Sequence, residues 1–179
     1  GARDIIAELV SEHQEAREKM RHLYAIKGMF RTKMITGKEE EGSKYRDYFD
    51  LEELVANAPS HRILAMRRGE KENVLTLRVI PPEDEALGIL ESLFRKGGTP
   101  AALEVKTEVH DGFKRLLSPS IETEIRMKTK KRADYESIKV FADNLRQLLL
   151  ASPLGRKNVL AVDPGYRTGC KVCCLDSQG

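Results

Sequence analysis

The residues best placed to do chemistry lie near the end of the chain, from Asn158 to Val172. Asp163 ends the apolar run Val159 to Val162. Pro164-Gly165 follows, and a second apolar run spans Cys170 to Leu175. A carboxylate at the end of a buried strand, just before a turn into an antiparallel strand, can be the first acid of a metal site. Two-metal phosphodiester hydrolysis needs several carboxylates around ions about 4 Å apart, because the ions stabilise both the attacking and the leaving oxygens. The next acid, Asp176, lies past the second run in Asp176-Ser177-Gln178-Gly179, which reads as a turn. One acid does not assemble such a site. The plainer alternative, a turn-forming Asp before Pro-Gly, also stands.

A different chemistry is carried by Arg126, Lys128, Lys130, Lys131 and Arg132, five cations within two turns of a helical pattern. Such a cluster contacts phosphates and releases their counterions. It can equally be a solvated helix surface paired with Glu122, Glu124 and Asp134, and both readings remain open. Tyr45, Tyr48 and Phe49 could stack bases, but at helical spacing they read first as a packing anchor. Glu39-Glu40-Glu41, flanked by Lys38 and Lys44, reads as a solvated turn. Cys170 and Cys173 have C-x-x-C spacing, yet residues three apart on a strand point to opposite faces. No second pair exists, and His13, His22, His61 and His110 lack metal-ligand spacing. Neither a metal nor a cofactor is expected. The chain also has no Gly-rich phosphate loop opening a helix and no defensible Ser-His-Asp or Cys-His constellation.

The bulk properties set the frame for these residues. A chain of 179 residues is long enough for one domain, or one plus part of a second, with a core that needs no disulfide. Hydrophobic residues at 40% and charged residues at 33% exclude a disordered chain, and no apolar run approaches a membrane span. A net charge of +3 is too small to indicate nucleic acid unless the cations cluster locally. The three cysteines, an odd number packed between Cys170 and Cys174, suit reduced thiols and a cytoplasmic setting.

Mostly helices must position these groups. Apolar residues every three or four positions predict one amphipathic helix from Ala2 to about Lys27, with Gly28 as a left-handed C-terminal residue. Met29 to Ile35 and Val74 to Ile80 read as paired strands, and Leu51 to Ala58 as a short helix closed by Pro59. Ser60 to Gly69 reads as a helix capped by Ser60 and stopped by Gly69, with a hairpin arm as the alternative. A helix after Pro81-Pro82 buries Leu87, Leu90, Leu93 and Phe94 and stops at Gly97-Gly98. Thr99-Pro100 opens a helix with Leu103, Val109, Phe113, Leu116 and Leu117 on its buried face. These two helices invite a helix-turn-helix reading, but the balanced charge of the second suits an ordinary helical hairpin. Ser118-Pro119 opens the longest element, to about Ala151, with apolar positions at Ile121, Ile125, Tyr135, Ile138, Phe141, Leu145 and Leu148. After Ser152-Pro153-Leu154-Gly155 the period becomes strand-like.

Three blocks carry a resemblance. They are Gly37 to Phe49 (GKEEEGSKYRDYF), then Pro59 to Ala65 (PSHRILA) with Arg68-Gly69-Glu70, and finally Leu117 to Glu122 (LSPSIE) through Asn144 to Leu150 (NLRQLLL) to Asp163 to Gly169 (DPGYRTG). Together they resemble the Tex family of bacterial transcription accessory proteins along essentially the whole chain. The resemblance implies a helical central region over residues 1–155. Residues 156–179 would be the first two strands of a truncated RNase H-like (YqgF-type) α/β domain, with Asp163 at the position of its first acid. It also implies that helix-hairpin-helix and OB-fold RNA-binding parts, which hold much of the family's nucleic-acid affinity, lie outside this chain.

The expected fold is therefore mainly α: a multi-helical domain with a small two-stranded β element, followed by that truncated hairpin. The expected function is that of a helical scaffold within a nucleic-acid-binding transcription accessory factor, with no complete catalytic site. A nuclease or junction resolvase, and a docking scaffold for the transcription machinery, are the rival readings. Expected partners are RNA or DNA through the full-length protein and the transcription machinery, with no membrane. Arg126, Lys128, Lys130, Lys131, Arg132 and Arg167 are the candidate nucleic-acid contacts. The terminal hairpin is expected to be mobile or to be ordered by a neighbouring molecule.

Overall fold

Why the first helical pattern breaks is visible at His13. The computed structural model describes residues 2–94, 100–166 and 169–179. In place of one helix, α1 spans Ala2–Glu12 and α2 spans Gln14–Lys27. His13 adopts an extended backbone, and its Nδ1 accepts the Ala16 N–H at 3.2 Å, so the imidazole acts as an N-cap. Its ring also meets Phe94 edge-on, with centroids 5.0 Å apart. The apolar period runs through this break undisturbed, which is why it cannot be read from the sequence. Gly28 is also not left-handed: its φ is −64° and ψ 145°. Glycine is needed for close approach instead, since a Cβ there would lie 2.2 Å from the Tyr24 carbonyl oxygen.

Strand β1, Met29–Met34, is the centre of a sheet ordered β2-β1-β3, with β2 at Glu52–Leu54 and β3 at Leu75–Ile80. The pairing of β1 with β3 agrees with expectation, Thr32 opposite Leu77. The predicted helix over Leu51 to Ala58 is instead a third strand, and this corrects the two-stranded expectation. Helix propensity in Leu51-Glu52-Glu53-Leu54 is outweighed by pairing with β1. Thr32 and Met34 donate to the Leu51 and Phe49 carbonyls, Val55 donates to Gly28, and Glu52 pairs with Arg31 across the strands. Before β2, a 3-10 turn over Ser43–Tyr48 buries Tyr45 against Val74 and Leu75, the packing anchor expected of that aromatic group.

Helix α3 spans Ser60–Lys71, which settles the ambiguous segment as helical. Two details differ. Pro59 occupies the cap position, the Ser60 hydroxyl bonds Glu136, and Gly69 lies buried inside the helix, which ends two residues later. Asn73, at φ 54°, turns the chain into β3.

Helix α4, Glu83–Phe94, begins with Glu83, Asp84 and Glu85 in its first turn, where negative charge meets the positive end of the helix dipole. Helix α5 spans Pro100–Gly112. The Gly97-Gly98 stop, the Thr99 cap, the Leu103 side chain and the helix-turn-helix corner fall outside what is described. Ser118-Pro119 does not start a new helix with a cap, as its spacing suggests. The chain continues through a π-helical turn at Phe113–Leu117 straight into α6, Ser118–Leu150, and Ser118 has helical φ and ψ. Its hydroxyl faces inward to Tyr24, so it does not cap anything.

Two compact units result, Gly1–Lys139 and Val140–Gly179. The first holds a main core of Met20, Leu23 and Tyr24 of α2, Phe30 and Leu77 of the sheet, Ile63 and Met66 of α3, and Leu117, Ile121 and Ile125, beside the smaller cluster around Tyr45. The second holds β4, Val159–Pro164, paired antiparallel with β5, Cys170–Leu175. The α6 stripe is only partly a core face. Ile121 and Ile125 are buried, but Tyr135, Ile138, Phe141, Leu145 and Leu148 are exposed. No helix among the described residues is long and apolar enough to cross a membrane. The architecture is mainly α with two small antiparallel sheets.

Candidate nucleic-acid interface

The interface must be built from α6, because its middle turns carry the cation cluster, and the fold sorts those cations. Glu122 comes first in the sequence of contacts. It is buried, accepts the Val79 N–H at 2.9 Å, and is held by Arg78 Nε at 3.0 and 3.1 Å. This clamps α6 to β3. One turn on, Arg126 reaches the same strand: it donates to the Leu77 carbonyl at 3.1 Å and pairs with Glu70 of α3. Its side chain is only 20% exposed, so it belongs to the fold more than to the surface.

Glu124 is engaged from the other side. Arg21 donates to it through Nε at 2.6 Å, and Arg17 pairs with it as well. The Arg21 guanidinium, with Arg17 beside it, holds this carboxyl below its usual range.

Lys130 is paired with Asp134 one turn along the helix. Arg132 is exposed at its surface but tethered, its Nη2 donating to the Ala58 carbonyl at 3.2 Å. Lys128 and Lys131 are exposed and, among the described residues, have no carboxylate at ion-pair distance. Arg167 is outside the described residues. Of the five candidates within the described residues, then, Lys128, Lys131 and part of Arg132 offer charge to a ligand.

Two residues absent from the sequence-derived set share this surface. Lys139 lies two turns past Arg132 on the same helical face and is exposed. Tyr135, assigned to the apolar stripe by its spacing, is 72% exposed between them. The signal for both was the spacing 128, 132, 135, 139, a helical i, i+4, i+7, i+11 row, but it reads as a surface only once the buried side of α6 is known.

Beside this row a groove of about 230 Å³ opens between α2, the turn after β2, and α6. Val55, Ile125 and Thr129 are buried along it, Ala25 is half-buried, and Ala56, Lys128 and Arg132 are exposed at its edge.

The carboxylates of the hairpin are arranged differently from a metal pair. Asp163 stands opposite Lys171, whereas Asp176 follows Leu175, which stands opposite Val159 at the other end of the ribbon. They are five strand positions apart, roughly 17 Å. Among the described residues, no three His, Cys, Asp or Glu side chains converge to hold an ion. Cys170, Cys173 and Cys174 are free and exposed, and the register puts Cys170 and Cys173 on opposite faces of the ribbon.

Comparison with known proteins supplies the remaining context. A family described as Tex central region-like matches residues 1–141. Protein tex of Bordetella pertussis is 39% identical over 100% of this chain and 24% of its own length. The transcriptional accessory protein Tex of Neisseria gonorrhoeae is 36% identical, with the same shares covered. The human S1 RNA-binding domain-containing protein 1 is 29% identical over 98% of this chain and 19% of its own length. The chain thus spans about a quarter of the length of the bacterial relatives it matches. A match that runs from α1 into the exposed half of α6, with identity sustained along the full sequence, shows that this chain belongs to the Tex family.

Proposed function

We propose that this chain is a helical scaffold within a transcription accessory factor that works on nucleic acid, and that it supplies no catalytic chemistry of its own. Relatives support the coarse role: one is named for transcription accessory function and another for an S1 RNA-binding domain. The observation that carries the scaffold reading is the fate of the cation cluster. Arg126 is spent on Glu70 and Leu77, Lys130 on Asp134, and Arg132 partly on Ala58. What remains among the described residues of α6, Lys128, Lys131 and Lys139 with the exposed part of Arg132, is enough for a few phosphate contacts and not for a tight grip.

The hairpin is read as the opening strands of an RNase H-like domain, with Asp163 at the first acidic position. This rests on the family resemblance. A lone Asp163, with Asp176 at the far end of the ribbon, supports the absence of a two-metal site in this chain.

Titrating labelled single-stranded RNA against salt tests the reading. Each phosphate neutralised contributes a slope of about −0.7 in log K against log salt for a single strand, so four cations give a slope no steeper than about −3. Binding should be weaker than micromolar at physiological salt and should drop further in the Lys128→Ala/Lys131→Ala variant. Nanomolar, salt-resistant binding, or Mg²⁺-dependent cleavage abolished by Asp163→Asn, would overturn it.

A further inference from the structure

We propose that the groove between Ala25, Val55 and Ile125 is a docking site for an acidic segment of a partner protein, which seats one apolar side chain there. The proposal does not depend on the strand-binding reading. Three features of the groove carry it. Its walls are aliphatic: Ala25 from α2, Val55 and Ala56 from the turn after β2, and Ile125 from α6. The one hydroxyl on the wall, Thr129, already donates to the Ile125 and Arg126 carbonyls, at 2.8 and 3.2 Å. The charged residues at its edge are both cations, Lys128 and Arg132, and no carboxylate lines it. Acids close by in the sequence pair with other cations, Glu124 with Arg17 and Arg21, and Glu53 through one of its oxygens with Arg62.

Volume and chemistry select the occupant. At about 230 Å³ the groove is smaller than the roughly 300–1,000 Å³ of small-molecule sites. It suits a single anchoring side chain of the kind that dominates peptide binding. A nucleobase fits poorly, because a base seated inside would desolvate polar edge atoms against aliphatic walls, while the only free donors, on Lys128 and Arg132, lie at the edge. A Leu or Phe carries no such atoms. Carboxylates flanking that anchor would meet Lys128 on one side and the free N–H groups of Arg132 on the other. Arg132 is already tethered to Ala58, so part of its ordering cost is met before binding.

Fluorescence anisotropy with the intact chain tests this, using a labelled Asp-Glu-Asp-Phe-Asp-Glu-Asp peptide and its Ala-centred counterpart. The Phe peptide should bind saturably, and the Ala-centred peptide about tenfold or more weaker. Ala25→Leu, which fills the groove, should cost about tenfold, as should Lys128→Glu. Ala56→Leu makes the same test from the exposed edge, should Ala25→Leu disturb the packing. Single-stranded RNA binding should be unchanged by Ala56→Leu and reduced by Lys128→Glu, which separates the two proposals. Equal binding of both peptides, binding indifferent to Ala25→Leu and Ala56→Leu, or RNA binding lost in Ala56→Leu would each overturn the docking site.

Discussion

The hydroxyls of Tyr24 and Ser118 lie 2.7 Å apart and join α2 to the first residue of α6. Tyr24 is fully buried, and burial pushes its phenol up to about 12 from an ordinary 10, more than the Ser118 bond lowers it. The raised value sets the direction of the pH effect. The unfolded chain ionises first, so this residue's contribution is whole below about pH 10 and is lost as pH rises toward about 12.

Tyr24→Phe should therefore cost about 1 kcal/mol at neutral pH, by removing one buried hydrogen bond. It should also flatten the decline in stability between about pH 10 and about pH 12. Urea unfolding followed across that range checks both. A variant that declines as steeply as the parent would show that the phenol is not the source.

Glu122 joins a strand backbone and a cation to α6, so its loss leaves the Val79 N–H without an acceptor and Arg78 without its partner. Glu122→Ala should destabilise by about 2–3 kcal/mol. Glu122→Gln keeps an oxygen for Val79 and should cost about half as much. Arg78 is exposed enough to find water, which keeps the penalty below that of a fully buried pair. Equal losses in the two variants would mean that the charge, and not the acceptor, matters.

Two glycines should respond oppositely to alanine. A Cβ at Gly28 meets the Tyr24 carbonyl carbon and oxygen, all backbone, whereas one at the exposed Gly88 in α4 meets nothing within 4 Å. Gly28→Ala should destabilise by about 2 kcal/mol or more, since backbone has to move. Gly88→Ala should stabilise by about 0.5–1 kcal/mol through helix propensity. Thermal melts of the pair measure this, and a stabilising Gly28→Ala would refute the close-approach reading.

The hairpin β4–β5 should be the least protected regular structure in this chain. It has only two strands, and Leu160, Val162 and Val172 are exposed along it. An isolated hairpin is marginally stable in water. Amide exchange should be faster there by orders of magnitude than in β1 and β3, whose side chains enter the core. Equal protection in the two sheets would contradict this.

Elements whose evidence is local can be read from the amino-acid order alone. The alternation in Val74 to Ile80, the acidic first turn before Leu87, and the apolar runs on either side of Asp163 each specify a strand or helix within a few residues. The family blocks were legible for the same reason, as were the cations of α6 and their spacing. Features that depend on a distant partner appear only in the folded chain. β2 exists because β1 offers Thr32 and Met34 as donors, against the helix propensity of its own residues. The break at His13 exists because an imidazole can cap a helix while the apolar period continues unchanged. Ser118 points to Tyr24 and caps nothing, because the π-helical turn before it carries the helix through. Of the cluster on α6, Arg126 is structural and Lys128 is free only because Glu70 and the Leu77 carbonyl lie beneath one side of the helix and solvent covers the other. Charge and period are properties of a segment. Which face a side chain occupies, and whether its charge is already satisfied, depends on residues dozens of positions away that only folding brings near.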